Sequence, residues 1–140
     1  VNHPAGAIGK ALVLRAADIM RTGDAMALVK PTATVMDAVL AMTAAKGGSA
    51  IVVDKAGKLK GIFTDGDFRR LLATGDTSVL ESPVSRYMTK TPSFVYSNAY
   101  AAELLKIFEK NHIDDLPVCD RSGKAVGLVD IQDLPKMKIL

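Results

Sequence analysis

Tryptophan is absent from this 140-residue chain, aromatic residues make up 5% of it, and it holds one cysteine and two histidines. A single cysteine, Cys119, excludes a disulfide framework within the chain. Its apolar surroundings lead us to expect a buried, reduced thiol in a cytoplasmic protein. His3 and His112 are far apart, so they form no ligand cluster with Cys119 at zinc spacing, and no metal site is expected. No Ser-His-Asp or Cys-His grouping is visible. No apolar run approaches the ~18 residues needed to span a membrane, and no signal peptide is visible. Nucleic acid is disfavoured as a partner, because the net charge is only +3, Lys and Arg are scattered, and no basic stripe carries interleaved aromatics. What is present is globular in character, 49% hydrophobic and 24% charged. The length suffices for one compact core burying roughly two-thirds of the unfolded surface. Val1 is not a natural start, so an excised piece of a longer chain is expected.

The chain says one thing twice. Val35-Met36-Asp37-Ala38-Val39 answers Ala101-Ala102-Glu103-Leu104-Leu105, at an offset of 66. Ala50–Asp54 answers Leu116–Asp120, and Gly61–Asp67 answers Gly127–Asp133. Upstream the offset grows to 68, so that Met20 answers Met88. A duplicated unit predicts a pseudo-symmetric molecule with a cleft between its halves.

Each copy reads as strand, helix, strand, strand, helix. Residues 1–13 are Gly- and Ala-rich, lack a twin, and read as the tail of something upstream. Ala16–Met20 is a short helical turn and Ala27–Val29 a brief strand. Thr34 and Asp37 have capping-box spacing and open a helix with Val35, Val39 and Met42 inward. Gly47-Gly48 ends that helix. Strands Ser49–Val53 and Leu59–Phe63 form a hairpin, followed by a helix over Asp65–Ala73 and a polar linker, Gly75–Glu81. Ser82-Pro83 starts a short helix, with Ser as N-cap and Pro at the first helical position. The second copy has strand Phe94-Val95, helix Ser97–Asn111, strands Leu116–Cys119 and Ala125–Val129, and a last helix Asp130–Lys136. The fold class is mixed α+β, with two β-α-β-β-α repeats packed sheet to sheet about a pseudo-two-fold axis. The expected divisions are 1–15, 16–81 and 82–140.

Two copies of this order, with Gly61-Ile62-Phe63-Thr64-Asp65-Gly66-Asp67 and Ile113-Asp114-Asp115-Leu116-Pro117-Val118-Cys119-Asp120, resemble a tandem pair of cystathionine β-synthase (CBS) domains. That resemblance implies a regulatory module, many of which bind adenine nucleotides or related anions between the copies. A narrower one lies in His3-Pro4-Ala5-Gly6-Ala7-Ile8-Gly9-Lys10, with Asp18-Ile19-Met20 and the two arginines after Phe63-Thr64-Asp65-Gly66-Asp67. These are similar to the D-arabinose 5-phosphate isomerases, in which a sugar-isomerase domain leads through His-Pro-Gly-Gly into a CBS pair. Here that segment reads His3-Pro4-Ala5-Gly6. The resemblance implies an upstream sugar-isomerase domain as partner, a homodimer or higher homo-oligomer, and a parent enzyme in Kdo and lipopolysaccharide synthesis. It gives His3 a catalytic, acid–base role in that parent only. The fragment itself is expected to be inactive, because the other groups of such a site would lie upstream.

The resemblance places Asp67 on ribose hydroxyls and Thr64 near phosphate. A carboxylate accepts from vicinal hydroxyls, and a helix N-terminus favours an anion. Thr64-x-x-Asp67 is equally a capping box that needs no ligand. Arg69 and Arg70, one turn on, can reach a phosphate or stay solvated. Asp133 answers Asp67, but Asp130 replaces Thr64 and would repel phosphate, so a phosphorylated ligand is expected on the Thr64 side alone. His112 falls at a helix end, where a structural role is expected. The pairs Asp65/Asp67 and Asp114/Asp115 read as caps and turns, and the six methionines as core filler. No cofactor is required. A nucleotide effector is expected: CMP-Kdo by pathway logic, or AMP or ATP by family habit. The rivals are a structural dimerisation module without ligand, and a CBS pair from another enzyme or a transporter.

Overall fold

Local signals place most elements where the sequence puts them. The computed structural model of the protein describes residues 4–139; His3 lies outside them. Helices α1 (Pro4–Val13) and α2 (Ala16–Ile19) come first, then strand β1 (Ala27–Val29) and helix α3 (Val35–Ala45). The Thr34 hydroxyl accepts from the Asp37 amide at 3.0 Å, and the Asp37 carboxylate accepts from the Thr34 amide at 3.0 Å, completing the expected box. Strands β2 (Ser49–Val53) and β3 (Leu59–Thr64) and helix α4 (Asp65–Ala73) finish the first copy. The second has β4 (Thr89–Lys90), β5 (Val95–Tyr96), α5 (Ala101–Asn111), β6 (Asp115–Cys119) and β7 (Ala125–Asp130). One sheet has the order β1-β2-β3-β4, the other β5-β6-β7. In both, the helix-linked pair is parallel and the hairpin antiparallel.

The sheets meet through Ile51, Ala125 and Leu128, with Met26, Val53 and Leu59 around them. At one end the two hairpin turns bond to each other, Leu59 N–H to Gly123 O at 3.1 Å and Ala125 N–H to Gly57 O at 3.0 Å. The copies also exchange their leading segments. Ala16 and Ile19 are buried in the core of the second copy, beside Val95, Leu104 and Phe108. Val84 is buried in the core of the first, beside Val35, Met42 and Phe63. Each leading segment carries a methionine to a glycine of the other copy, Met20 to Gly127 and Met88 to Gly61.

Several expectations are corrected. The leading stretch, given no element in the sequence reading, is helical over Pro4–Val13, and its Ala11 is buried against the second core. Gly47-Gly48 does not supply the left-handed residue that ends α3; Lys46 does, at φ 55°, and His112 ends α5 at φ 52°. Ser82 is not an N-cap. Its carbonyl accepts from the Val35 amide at 2.9 Å, and only a 3-10 turn over Val84–Arg86 follows. Thr89–Lys90 is a strand the sequence hides, formed by pairing with Gly61 and Ile62. Phe94-Val95 shifts to Val95–Tyr96, and α5 begins at Ala101 rather than Ser97. The last helix is two 3-10 turns, Ile131–Asp133 and Pro135–Met137, because Pro135 cannot donate to a continuing helix. Cys119 is buried as expected, and burial pushes its thiol up to about 11, helped by the Asp120 charge.

Candidate functional site

Both repeat helices end, and both hairpins return, along one seam between the copies. On one side of that seam a cleft of about 930 Å³ opens, within the size range of small-molecule sites. Thr64, Asp67, Arg69 and Arg70 line it from the β3–α4 junction, and Lys46 and His112 from the ends of α3 and α5. Asp115 and Asp130 come from the second sheet, Asp114 and Gln132 from the residues beside it, Thr89 from β4 and Ser93 from the segment that links β4 to β5. Four of the expected site residues are thus together. Among described residues no group of three or more His, Cys, Asp or Glu side chains is arranged to hold a metal ion.

At α4 both readings of the Thr64 motif occupy the same atoms. The Asp67 carboxylate accepts from the Thr64 amide at 2.9 Å, and the Thr64 hydroxyl accepts from the Asp67 amide at 3.2 Å. Arg70 folds back and donates Nη2 to Asp67 Oδ1 at 2.6 Å. Its guanidinium lies over Gly66, where an added Cβ would come within 3.3 Å of Nη1. A carboxylate offers about four acceptor sites, so the cap and Arg70 leave lone pairs on Asp67 for hydroxyls. The Arg70 side chain is 72% exposed, so its remaining donors reach into the cleft.

The cleft is polarised. Lys46, Arg69 and Arg70 line it with positive charge, and Asp65, Asp114, Asp115 and Asp130 with negative charge; Asp65 and Asp114 are exposed, Asp115 half-buried and Asp130 buried. Asp115 does not act as a turn residue; it opens β6 opposite Asp130. Burial pushes its carboxyl up to about 7, with the charges of Asp130, Asp114 and Asp65 adding to the effect. Its Oδ1 and the hydroxyl of Ser49 are buried without a hydrogen-bond partner. Burial and repulsion between carboxylates are tertiary facts, so no local motif announces Asp115. Lys46 and His112 were equally invisible as cleft residues, although their twin positions at an offset of 66 are a signal in the repeat.

Asp133 is not in this cleft. Arg21 holds it, with Nε donating to Oδ2 at 2.7 Å and Nη2 to Oδ1 at 3.0 Å. That hydrogen bond holds the Asp133 carboxyl below its ordinary range and raises Arg21 above its own. Asp130 Oδ1 accepts from the Gln132 amide at 2.9 Å, capping the first of the closing turns.

Two hairpin-bearing copies, exchanged leading segments and a cleft at the ends of the repeat helices define a tandem CBS architecture. The CBS domain family profile matches residues 16–74 and 84–136, and the chain belongs to that family. It is 37% identical over 139 residues to arabinose 5-phosphate isomerase KdsD of Pseudomonas aeruginosa, covering 99% of this chain and 42% of that protein. It is also 37% identical to arabinose 5-phosphate isomerase GutQ of Escherichia coli K12, covering 99% of this chain and 43% of that protein. The chain therefore spans about two-fifths of the length of these relatives. Among solved structures, CBS domain protein PAE2072 from Pyrobaculum aerophilum, complexed with AMP, shares the fold at a TM-score of 0.77 and 18% identity, over 86% of this chain and 90% of that one. Among described residues no helix is long and apolar enough to cross a membrane.

Proposed function

We propose that this chain is the ligand-sensing CBS pair of an arabinose 5-phosphate isomerase and that a phosphorylated nucleoside or sugar nucleotide sits in the open cleft. The parent enzyme interconverts ribulose 5-phosphate and arabinose 5-phosphate for Kdo synthesis through an upstream sugar-isomerase domain, and works as a homo-oligomer. His3 belongs to that parent's chemistry. The observation that carries the reading is the meeting of Thr64, Asp67, Arg69 and Arg70 on one wall of the cleft. The phosphate lies at the start of α4, where the helix dipole and the two arginines favour negative charge. Sugar hydroxyls donate to Asp67. The base lies toward Asp115 and Asp130, whose carboxyl oxygens accept from exocyclic amino groups. The bound neighbour carrying AMP supports the ligand class. Regulation then requires different affinities for two states of the parent.

A thermal-shift titration with CMP-Kdo, CMP, AMP and ATP tests this, because a ligand at ~100 times its Kd adds about 2.7 kcal/mol of stability. The Asp37 box on α3 is an internal control, since it caps a helix and does not line the cleft. Asp67→Ala and Asp37→Ala should each cost about 1 kcal/mol without ligand. Only Asp67→Ala should abolish the ligand-induced shift. No shift with any nucleotide would favour a structural module, and equal ligand shifts in both variants would place the ligand away from Asp67.

A further inference from the structure

The Thr64/Asp67 position of the open cleft has a twin under the repeat symmetry, at Asp130 and Asp133, and a side chain of the protein itself lies against that twin. At an offset of 66, Asp133 answers Asp67, Asp130 answers Thr64, and Ala45-Lys46-Gly47 answers Asn111-His112-Ile113. Asp133, which lies outside the open cleft, and Asp130 and Lys46, which lie at its edge, converge on one side chain. Arg21 makes the two-pronged contact with Asp133, places Nη2 3.6 Å from Asp130 Oδ2, and donates Nη1 to Lys46 O at 3.0 Å. The planar fork matches a carboxylate, and the carbonyl end of α3 favours a cation. Gly47 makes room, since an added Cβ there would come within 3.3 Å of Nη1, whereas its twin is Ile113. At the offset of 68 that relates Met20 to Met88, the counterpart of Arg21 is Thr89, a side chain too short to do the same in the open cleft.

We infer that Arg21 is the resident occupant of that twin position: its guanidinium takes the place of a ligand against Asp133, so the pair offers a nucleotide one site rather than two. The same contact ties the end of α3 in the first copy to the closing turns of the second. The one-site consequence rests on the nucleotide reading of the open cleft; the occupancy of the twin by Arg21 does not.

The test is chemical rescue. Arg21→Ala should melt several degrees below the unaltered chain. Millimolar methylguanidinium chloride should restore part of that loss saturably, relative to sodium chloride. It should not do so in the unaltered chain or in Arg21→Ala/Asp133→Ala. Rescue that is absent, or equal in all three, overturns the inference. If Arg21→Ala does not fold, nitrogen-15 spectra of the unaltered chain decide. The Arg21 Nε–H should exchange slowly with water and lose its protection in the isosteric Asp133→Asn; fast exchange in the unaltered chain overturns the inference. A calorimetric titration with AMP adds the stoichiometry. One molecule per chain is expected and two would overturn the one-site claim. An absence of AMP binding counts against the nucleotide reading of the open cleft, while rescue and exchange still decide Arg21.

Discussion

Gly61 and Gly127 occupy twin positions, and each has a methionine lying across it. A Cβ on Gly61 would come within 2.5 Å of Met88 Sδ and 2.8 Å of the Thr89 carbonyl. On Gly127 the three nearest atoms all belong to Met20: Sδ, Cγ and, at 3.0 Å, Cβ. The Met20 thioether can turn aside, but its Cβ and the Thr89 carbonyl cannot without moving backbone. Gly61→Ala and Gly127→Ala are therefore each predicted to cost about 2 kcal/mol in urea unfolding. Asp115 carries a second prediction at this scale. Its folded carboxyl titrates at about 7 against an ordinary 3.8. Between those values the folded chain binds a proton that the unfolded chain has released. The resulting stability is fully present below the unfolded value and is lost as pH rises through about 7. Asp115→Asn removes the titration. Its stability relative to the unaltered chain should rise between about pH 5 and pH 8, and a parallel pH dependence in the two chains would contradict the assignment.

At the scale of elements, α3 and α5 end alike, in left-handed residues that are not glycine. Lys46 and His112 both line the cleft, so the strain sits where a ligand would be read. His112→Gly is predicted to raise stability by about 1 kcal/mol, seen as a higher denaturation midpoint with an unchanged slope. The elements legible in the sequence were those whose signals are local. Thr34 and Asp37 announce α3 because both partners of the cap lie within one turn, and the turn residues between β2 and β3 announce that hairpin. Strand β4 was illegible because two residues carry no alternation, and only pairing with Gly61 and Ile62 makes them a strand. The site divides in the same way. Thr64, Asp67, Arg69 and Arg70 lie within seven residues and are singled out through the family resemblance of that segment. Arg21 and Asp115 acquire their roles from partners on the other copy or the facing strand, which no local pattern encodes.

At the scale of the molecule, exchange of the leading segments makes the copies interdependent. Without residues 84–90 the first copy loses Val84 from its core and β4 from its sheet. Without residues 16–21 the second loses Ala16 and Ile19. A chain cut to residues 1–81 is predicted not to fold cooperatively, whereas the full chain should melt in one transition seen identically by circular dichroism and calorimetry. Polarity is also a property of the whole, because the basic lining residues Lys46, Arg69 and Arg70 come from the first copy and the acidic Asp114, Asp115 and Asp130 from the second.

The central claim is that the Thr64–Arg70 wall reads a phosphorylated nucleoside. Calorimetric titration of this chain with AMP and with CMP-Kdo tests it most directly, repeated on Asp67→Ala. The account predicts saturable heat from at least one of them, at one molecule per chain, lost in the variant. A cooperatively folded chain that releases no heat with either ligand, or binding that survives Asp67→Ala unchanged, would contradict it.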